Sequence, residues 1–185
     1  MSPNYDPAPG LCDNPDPETQ EYTFGHTMLR IKDPERSLDF YTRVLGMRLL
    51  RRFDFPEMKF TLFFLGMVGD EEAGKVPAAR QARATYVFAQ KAMLELTHNW
   101  GSENDDSVSY HSGNDEPKGF GHIGITVPDV YRACERLEKL GVEFVKQVDA
   151  GRMQGLAFVK DPDGYWIEIL QSDMVEKRGA QWGVQ

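Results

Sequence analysis

The first clear pattern in the chain has period two. Residues 26–31 place Thr27, Leu29 and Ile31 on one side and His26, Met28 and Arg30 on the other, which predicts a half-buried strand. The period then lengthens. Leu38, Phe40, Tyr41, Val44 and Leu45 form a helical apolar stripe, with Asp33 as N-cap, Pro34 at the first helical position and Gly46 as the stop. Residues 48–53, 58–65 and 84–98 then predict strands. The same order recurs downstream. A strand over 123–127 leads to a cap near Asp129, a helix bearing Val130, Cys134, Leu137 and Leu140, a stop at Gly141, and strand candidates at 144–148, 155–160 and 165–171. Each half reads β-α-β-β-β.

The repetition extends to individual residues. His26 and His122 stand 96 positions apart, and so do Asp33 and Asp129. Ser37-Leu38-Asp39-Phe40 and Leu45-Gly46 answer Ala133-Cys134-Glu135-Arg136 and Leu140-Gly141. Each half ends on an apolar stretch with one carboxylate inside it, Leu94-Glu95-Leu96 and Trp166-Ile167-Glu168-Ile169-Leu170. His26 to Glu95 is 69 positions and His122 to Glu168 is 46, so about 23 extra residues lie in the first half, expected around Gly69–Lys75. The predicted fold class is α+β, two βαβββ modules forming a cupped mixed sheet. The expected organisation is an N-terminal arm (1–21, flexible or wrapped on a partner), a first module with the insertion (22–100), a linker loop (101–118), a second module (119–172) and a C-terminal tail (173–185).

Composition narrows the function classes. A net charge of −8 with no long basic run argues against a nucleic-acid footprint. No apolar run approaches the roughly 18 residues expected of a membrane span. The first twenty residues carry Pro3, Pro7, Pro9, Pro15 and Pro17 among Asp and Asn and lack a secretory pattern. Only Cys12 and Cys134 occur, one in the arm and one on a predicted helix, so a reducing, cytoplasmic setting without a structural disulfide is expected.

The candidate chemistry lies on the polar faces of the terminal strands. Glu95 shares its face with Thr97 and Asn99, Glu168 with Trp166 and Leu170, His122 with Gly124 and Thr126, and His26 with Arg30. A carboxylate among Trp, Ile and Leu is costly to bury unless it is paired, protonated or metal-bound. Taken alone, Glu95 and Glu168 each read as a solvent-facing residue of an ordinary strand. Their matching placement with two histidines in a duplicated unit points instead to one divalent metal held by His26, Glu95, His122 and Glu168. Nitrogen and oxygen donors suit a borderline ion, and no cysteine is positioned to bind it. Such an ion stabilises an enediolate when a proton leaves carbon beside a carbonyl, and the carboxylates serve as bases. His98, on the face opposite Glu95, reads as structural or hydrogen-bonding, and His111 as an exposed loop residue. Asp161-Pro162-Asp163-Gly164 reads as a turn.

These residues resemble the glyoxalase I (lactoylglutathione lyase) family of the vicinal oxygen chelate superfamily, from about residue 26 to 170. The resemblance is carried by Thr27-Met28-Leu29-Arg30, Ser37-Leu38-Asp39-Phe40-Tyr41, Leu94-Glu95-Leu96-Thr97-His98-Asn99-Trp100-Gly101, Gly119-Phe120-Gly121-His122-Ile123-Gly124 and Asp161-Pro162-Asp163-Gly164-Tyr165-Trp166-Ile167-Glu168-Ile169. It implies isomerisation of the methylglyoxal–glutathione hemithioacetal to S-lactoylglutathione, with glutathione as cosubstrate. It further implies metal ligands His26, Glu95, His122 and Glu168, with Glu168 as main base and Glu95 as its counterpart for the other substrate enantiomer. Glutathione contacts would fall on Arg30, Asn99, Lys118, Arg152 and Met153, with Lys146 in addition. A homodimer is implied, each site combining His26 and Glu95 of one chain with His122 and Glu168 of the other.

Two positions depart from the family pattern. His26 stands where the long animal and plant enzymes usually carry Gln and short nickel-type enzymes carry His. The chain's length therefore favours Zn2+ and its ligand leaves Ni2+ or Co2+ as the alternative. Lys118 replaces the usual Arg, a point charge in place of a bidentate fork. Two other functions compete on the same fold. An extradiol dioxygenase would want two His and one carboxylate on iron. A metal-free binding module would not require ionisable residues at all four repeat positions.

Overall fold

A computed structural model describes residue 6 and residues 8–183. The predicted arm at residues 1–5 and 7, with Pro3 and Pro7, and the last two residues of the chain lie outside the described residues.

The first module runs β1 (His26–Ile31), α1 (Pro34–Asp39), β2 (Arg48–Phe55), β3 (Phe60–Gly66), α2 (Asp70–Ala73), α3 (Arg80–Phe88) and β4 (Met93–Asn99). The second runs β5 (His122–Thr126), α4 (Val130–Lys139), β6 (Phe144–Lys146), β7 (Leu156–Lys160) and β8 (Trp166–Leu170), followed by α5 (Met174–Trp182). Two four-stranded sheets result, ordered β1-β4-β3-β2 and β5-β8-β7-β6. In each, the first strand pairs in parallel with the last and the other pairs are antiparallel. The repeat in the sequence is thus a repeat in topology.

The helix starts follow the cap chemistry. Asp33 accepts from the backbone N–H groups of Glu35 and Arg36, and Asp129 accepts from that of Arg132. Gly46 and Gly141 end the two helical segments in the left-handed region, where a Cβ would be strained. Between Asp39 and Leu45 the first helix widens into a π-turn, Phe40–Val44, which the apolar stripe does not reveal.

Residues 84–98 do not form the single strand that their apolar content predicts. Arg80–Phe88 is helical, and the strand begins only at Met93. Val87 is buried with Leu50, Phe64 and Met93, so tertiary packing overrides the strand preference of Thr85-Tyr86-Val87-Phe88. The extra length of the first module is therefore helical and extends well past Gly69–Lys75, taking in α2 and α3.

The aliphatic strand faces form one buried cluster that includes both modules. Leu29, Ile31, Leu94 and Leu96 meet Val130, Leu137, Ile167 and Ile169 in it, with Tyr41 and Val44 from the π-turn. Each such side chain contributes about 1.5–3 kcal/mol by leaving water. Specific bonds fix the join. Tyr41 donates to Asp161, Ser37 and the Lys32 N–H donate to Asp163, and Arg136 donates to the carbonyls of Val44 and Arg43. The Asp161–Gly164 turn thus ties the modules together besides reversing the chain.

Candidate functional site

With the aliphatic faces inside, the polar faces of β1, β5 and β8 turn outward, as the alternation predicts, while on the Glu95 face of β4 Met93 and Thr97 are buried, Glu95 is half-buried and Asn99 is exposed. Leu29 and Ile31 are buried while His26, Met28 and Arg30 are exposed. Ile167 and Ile169 are buried while Glu168 is only half-buried.

Register brings each histidine to its carboxylate. Glu95 lies opposite Met28, two residues beyond His26, and Glu168 lies opposite Gly124, two residues beyond His122. His26 Nε2 is 3.0 Å from Glu95 Oε2, and His122 Nε2 is 3.4 Å from Glu168 Oε2. The imidazoles stay about two-fifths exposed, at 38% and 42%. Within each pair, donors about 3 Å apart can share one cation, because metal–donor bonds of about 2.0–2.2 Å put adjacent donors at roughly that separation. The donor set therefore fits a divalent ion of the zinc type. The cysteines do not compete. Cys12 is exposed in the arm, and burial pushes the Cys134 thiol up to about 11.

The duplication runs further across the sheets than the sequence showed. Glu95 pairs with Phe64, which pairs with Arg51; Glu168 pairs with Phe158, which pairs with Lys146. In both modules the edge strand carries a bulge beside that cation. The phenylalanines stand edge-on to the histidines, with ring centroids 5.4 Å apart for His26 and Phe64 and 5.1 Å for His122 and Phe158. Such contacts hold each imidazole plane. In the first module α3 adds Phe88, 5.2 Å from Phe64, and Phe53 joins the same aromatic wall. The number of residues between strands does not reveal which residue faces which, so these rows are visible only in the folded sheets.

The basic and amide residues fall on three surfaces. Arg30 and Asn99 meet at the far end of the first sheet, Arg30 Nη1 donating to Asn99 Oδ1 at 3.0 Å. Lys118 lies exposed in the inter-module loop, with its Nζ 3.8 Å from Glu116. Arg152 and Met153 are exposed on the loop between β6 and β7. Lys146 is half-buried and folded back on its own chain, donating to the carbonyls of Gln147, Met153 and Leu156. His98 is buried and bonded to Glu103 at 2.7 Å, while exposed His111 accepts from the Gly113 N–H.

The two His–Glu pairs stay apart in one chain. Among the described residues, no group of three or more His, Cys, Asp or Glu side chains is arranged to hold a metal ion within one chain. One chain therefore presents two half-sets on separate sheets.

Known proteins resemble this chain in sequence and fold. The family model of the Glyoxalase/Bleomycin resistance protein/Dioxygenase superfamily matches residues 23–169. A lactoylglutathione lyase of Pseudomonas aeruginosa is 59% identical over 179 residues, covering 97% of this chain and 99% of that protein. Glyoxalase I of Saccharomyces cerevisiae is 45% identical over 85% of this chain, which spans 48% of that longer protein. Among solved structures, the trypanothione-dependent glyoxalase I of Leishmania major superposes with a TM-score of 0.60 at 36% identity, covering 88% of this chain and 96% of that one. Matched over most of its length in family model, sequence and structure, this chain belongs to the glyoxalase I family of that superfamily.

Proposed function

We propose that this protein is a lactoylglutathione lyase, isomerising the methylglyoxal–glutathione hemithioacetal to S-lactoylglutathione and so detoxifying methylglyoxal. The observation that carries the site assignment is the identical register of His26–Glu95 and His122–Glu168 in the two modules. Those four side chains would hold one divalent ion, zinc by the chain's length, with nickel or cobalt as alternatives raised by His26. When bound, the ion supplies Lewis acidity toward two neighbouring substrate oxygens.

The chain's own groups do the proton work. Glu168 takes the proton from the carbon bearing sulfur and hydroxyl, the electrons pass to the carbon–carbon bond as an enediolate, and the proton returns to the neighbouring carbon. One hydroxyl becomes a carbonyl and the adjacent carbonyl becomes a hydroxyl, so no oxidant is needed. Glu95 does the same for the opposite enantiomer. Each carboxylate sits beside an aromatic ring, Phe158 or Phe64, which keeps bulk water off that side. Glutathione brings two carboxylates, which Arg30, Lys118 and Arg152 would bind as charged donors, with Asn99 and Met153 completing the contact.

The separation of the half-sets supports a homodimer in which each complete set draws on two chains. No helix among the described residues is long and apolar enough to cross a membrane, and we assign the enzyme to the cytoplasm. The test is direct. Metal-loaded protein mixed with methylglyoxal and glutathione should form thioester, and prior chelation should abolish it. Absence of thioester from metal-loaded protein would refute the activity.

A further inference from the structure

The Lys146 side chain has every donor committed. A lysine ammonium offers three hydrogen-bond donors and no acceptor. Here three main-chain oxygens converge on Nζ, from Gln147 at 3.2 Å, Met153 at 2.8 Å and Leu156 at 2.7 Å. Two of these carbonyls come from the start and the far side of the loop joining β6 to β7, and the third from Leu156, the first residue of β7. That loop also carries Arg152 and Met153, exposed on its outer side.

We infer that Lys146 is a positioning residue, whose ammonium clasps the 147–155 loop against the start of β7 through the carbonyls of Gln147, Met153 and Leu156 and so presents Arg152 and Met153, rather than an anion contact in its own right. The inference rests on the reading of Arg152 and Met153 as glutathione contacts. Three carbonyl dipoles aimed at one point repel one another unless a cation sits between them, so the loop closes in this form only around the ammonium. Partial burial lowers the Lys146 pKa from the ordinary lysine value, with nearby Asp149 opposing the shift. The loop is braced from outside too. Arg178 of α5 donates to Gln154 Oε1, Trp182 donates to the Gln154 carbonyl, and Tyr131 donates to Asp149. Arg51, the register counterpart in the first module, is likewise turned onto its own strand, donating to the Arg52 carbonyl.

Arginine separates a clasp from an anion contact. A guanidinium keeps the charge and binds carboxylates at least as well as an ammonium, but its planar fork cannot place three donors on converging carbonyls. The experiment compares wild type, Lys146→Met and Lys146→Arg by the rate of tryptic cleavage after Arg152 and by steady-state kinetics with the hemithioacetal. Both variants should be cleaved after Arg152 at least about 5-fold faster, and both should show raised KM with kcat within about twofold, because binding shared by ground and transition states is lost. Wild-type cleavage rates in Lys146→Met, or a wild-type KM in Lys146→Arg, would overturn the clasp. If the Met variant does not fold, the Arg variant carries the test alone. Cleavage is read without turnover, so failure of the isomerase assignment would appear separately, as a wild-type enzyme that forms no thioester.

Discussion

Tyr41 donates its hydroxyl proton to Asp161 Oδ2 across 2.8 Å, joining residues 120 positions apart and from different modules. Both side chains are buried, and the other Asp161 oxygen accepts from the N–H groups of Asp163 and Tyr165. The carboxylate is thus satisfied from both sides at the seam between the sheets. Replacing Tyr41 by Phe removes the hydroxyl and leaves a buried acceptor short of one partner. The expected cost is about 1–3 kcal/mol, read as a lowered urea midpoint with an unchanged slope. An unchanged midpoint would show that the seam does not depend on this bond.

The same carboxylate makes stability depend on pH. Burial, acting against the bonds from Tyr41 and the Tyr165 N–H, raises Asp161 from 3.8 to about 6. A raised folded-state value means that the native protein holds the proton more tightly than the unfolded chain does. The resulting stabilisation is complete below about pH 4 and is lost as pH rises through about 6. Asp161→Asn, which resembles the protonated acid and does not titrate, should remove this descending contribution. Between pH 4 and 7 the variant should therefore gain stability on wild type by an amount on the order of 2–3 kcal/mol, read as a rising difference in Tm. Parallel Tm profiles over that range would contradict the assignment.

The two carboxylates of the proposed centre should not be equal in their effect. Glu168→Gln should lower kcat by roughly 10²–10⁴-fold, the range for loss of a general base, with the fold intact by circular dichroism. Glu95→Gln should spare more of the turnover of the enantiomer served by Glu168, measured with resolved hemithioacetals. Wild-type turnover in Glu168→Gln would remove it from the base role.

Lys118 offers a gain-of-function test. Lys118→Arg substitutes a bidentate fork for a point charge at an exposed position whose only ion pair among the described residues, with Glu116, is long at 3.8 Å. KM for the hemithioacetal should fall by roughly 2–10-fold with kcat little changed, the signature of added uniform binding. A KM that stays put would place Lys118 away from the glutathione carboxylates.

Metal binding should be readable without turnover. Adding zinc or nickel to chelator-treated protein should raise Tm, by about 2.7 kcal/mol of stability at a free ion concentration of 100 times Kd. His26→Gln should shift the balance between the two ions toward zinc. If neither ion changes Tm, the four side chains do not form a metal centre.

Much of this protein is written locally in its sequence. Asp33 and Asp129 mark helix starts, Gly46 and Gly141 mark their ends, and period two assigns His26, Glu95, His122 and Glu168 to the polar faces of their strands. Those features depend on a few neighbouring residues, because caps, left-handed turns and strand alternation are set by backbone sterics over one or two turns of chain. The duplicated His and Glu then identified the candidate centre, since an isolated strand carboxylate has an ordinary explanation and two matched pairs do not.

The remaining features were decided by contacts between residues far apart in the chain. Whether 84–88 is helix or strand depended on burying Val87 against Leu50, Phe64 and Met93. That Asp161 and Asp163 bind the first module, beyond forming a turn, required the two modules to pack on one another. The resemblance implies Lys146 only as a glutathione contact, and it is the folded chain that brings the carbonyls of Gln147, Met153 and Leu156 to it. The division of the four candidate ligands into two half-sets follows from the same packing. The aliphatic faces of both sheets close on one shared core, which carries the histidine faces outward and apart.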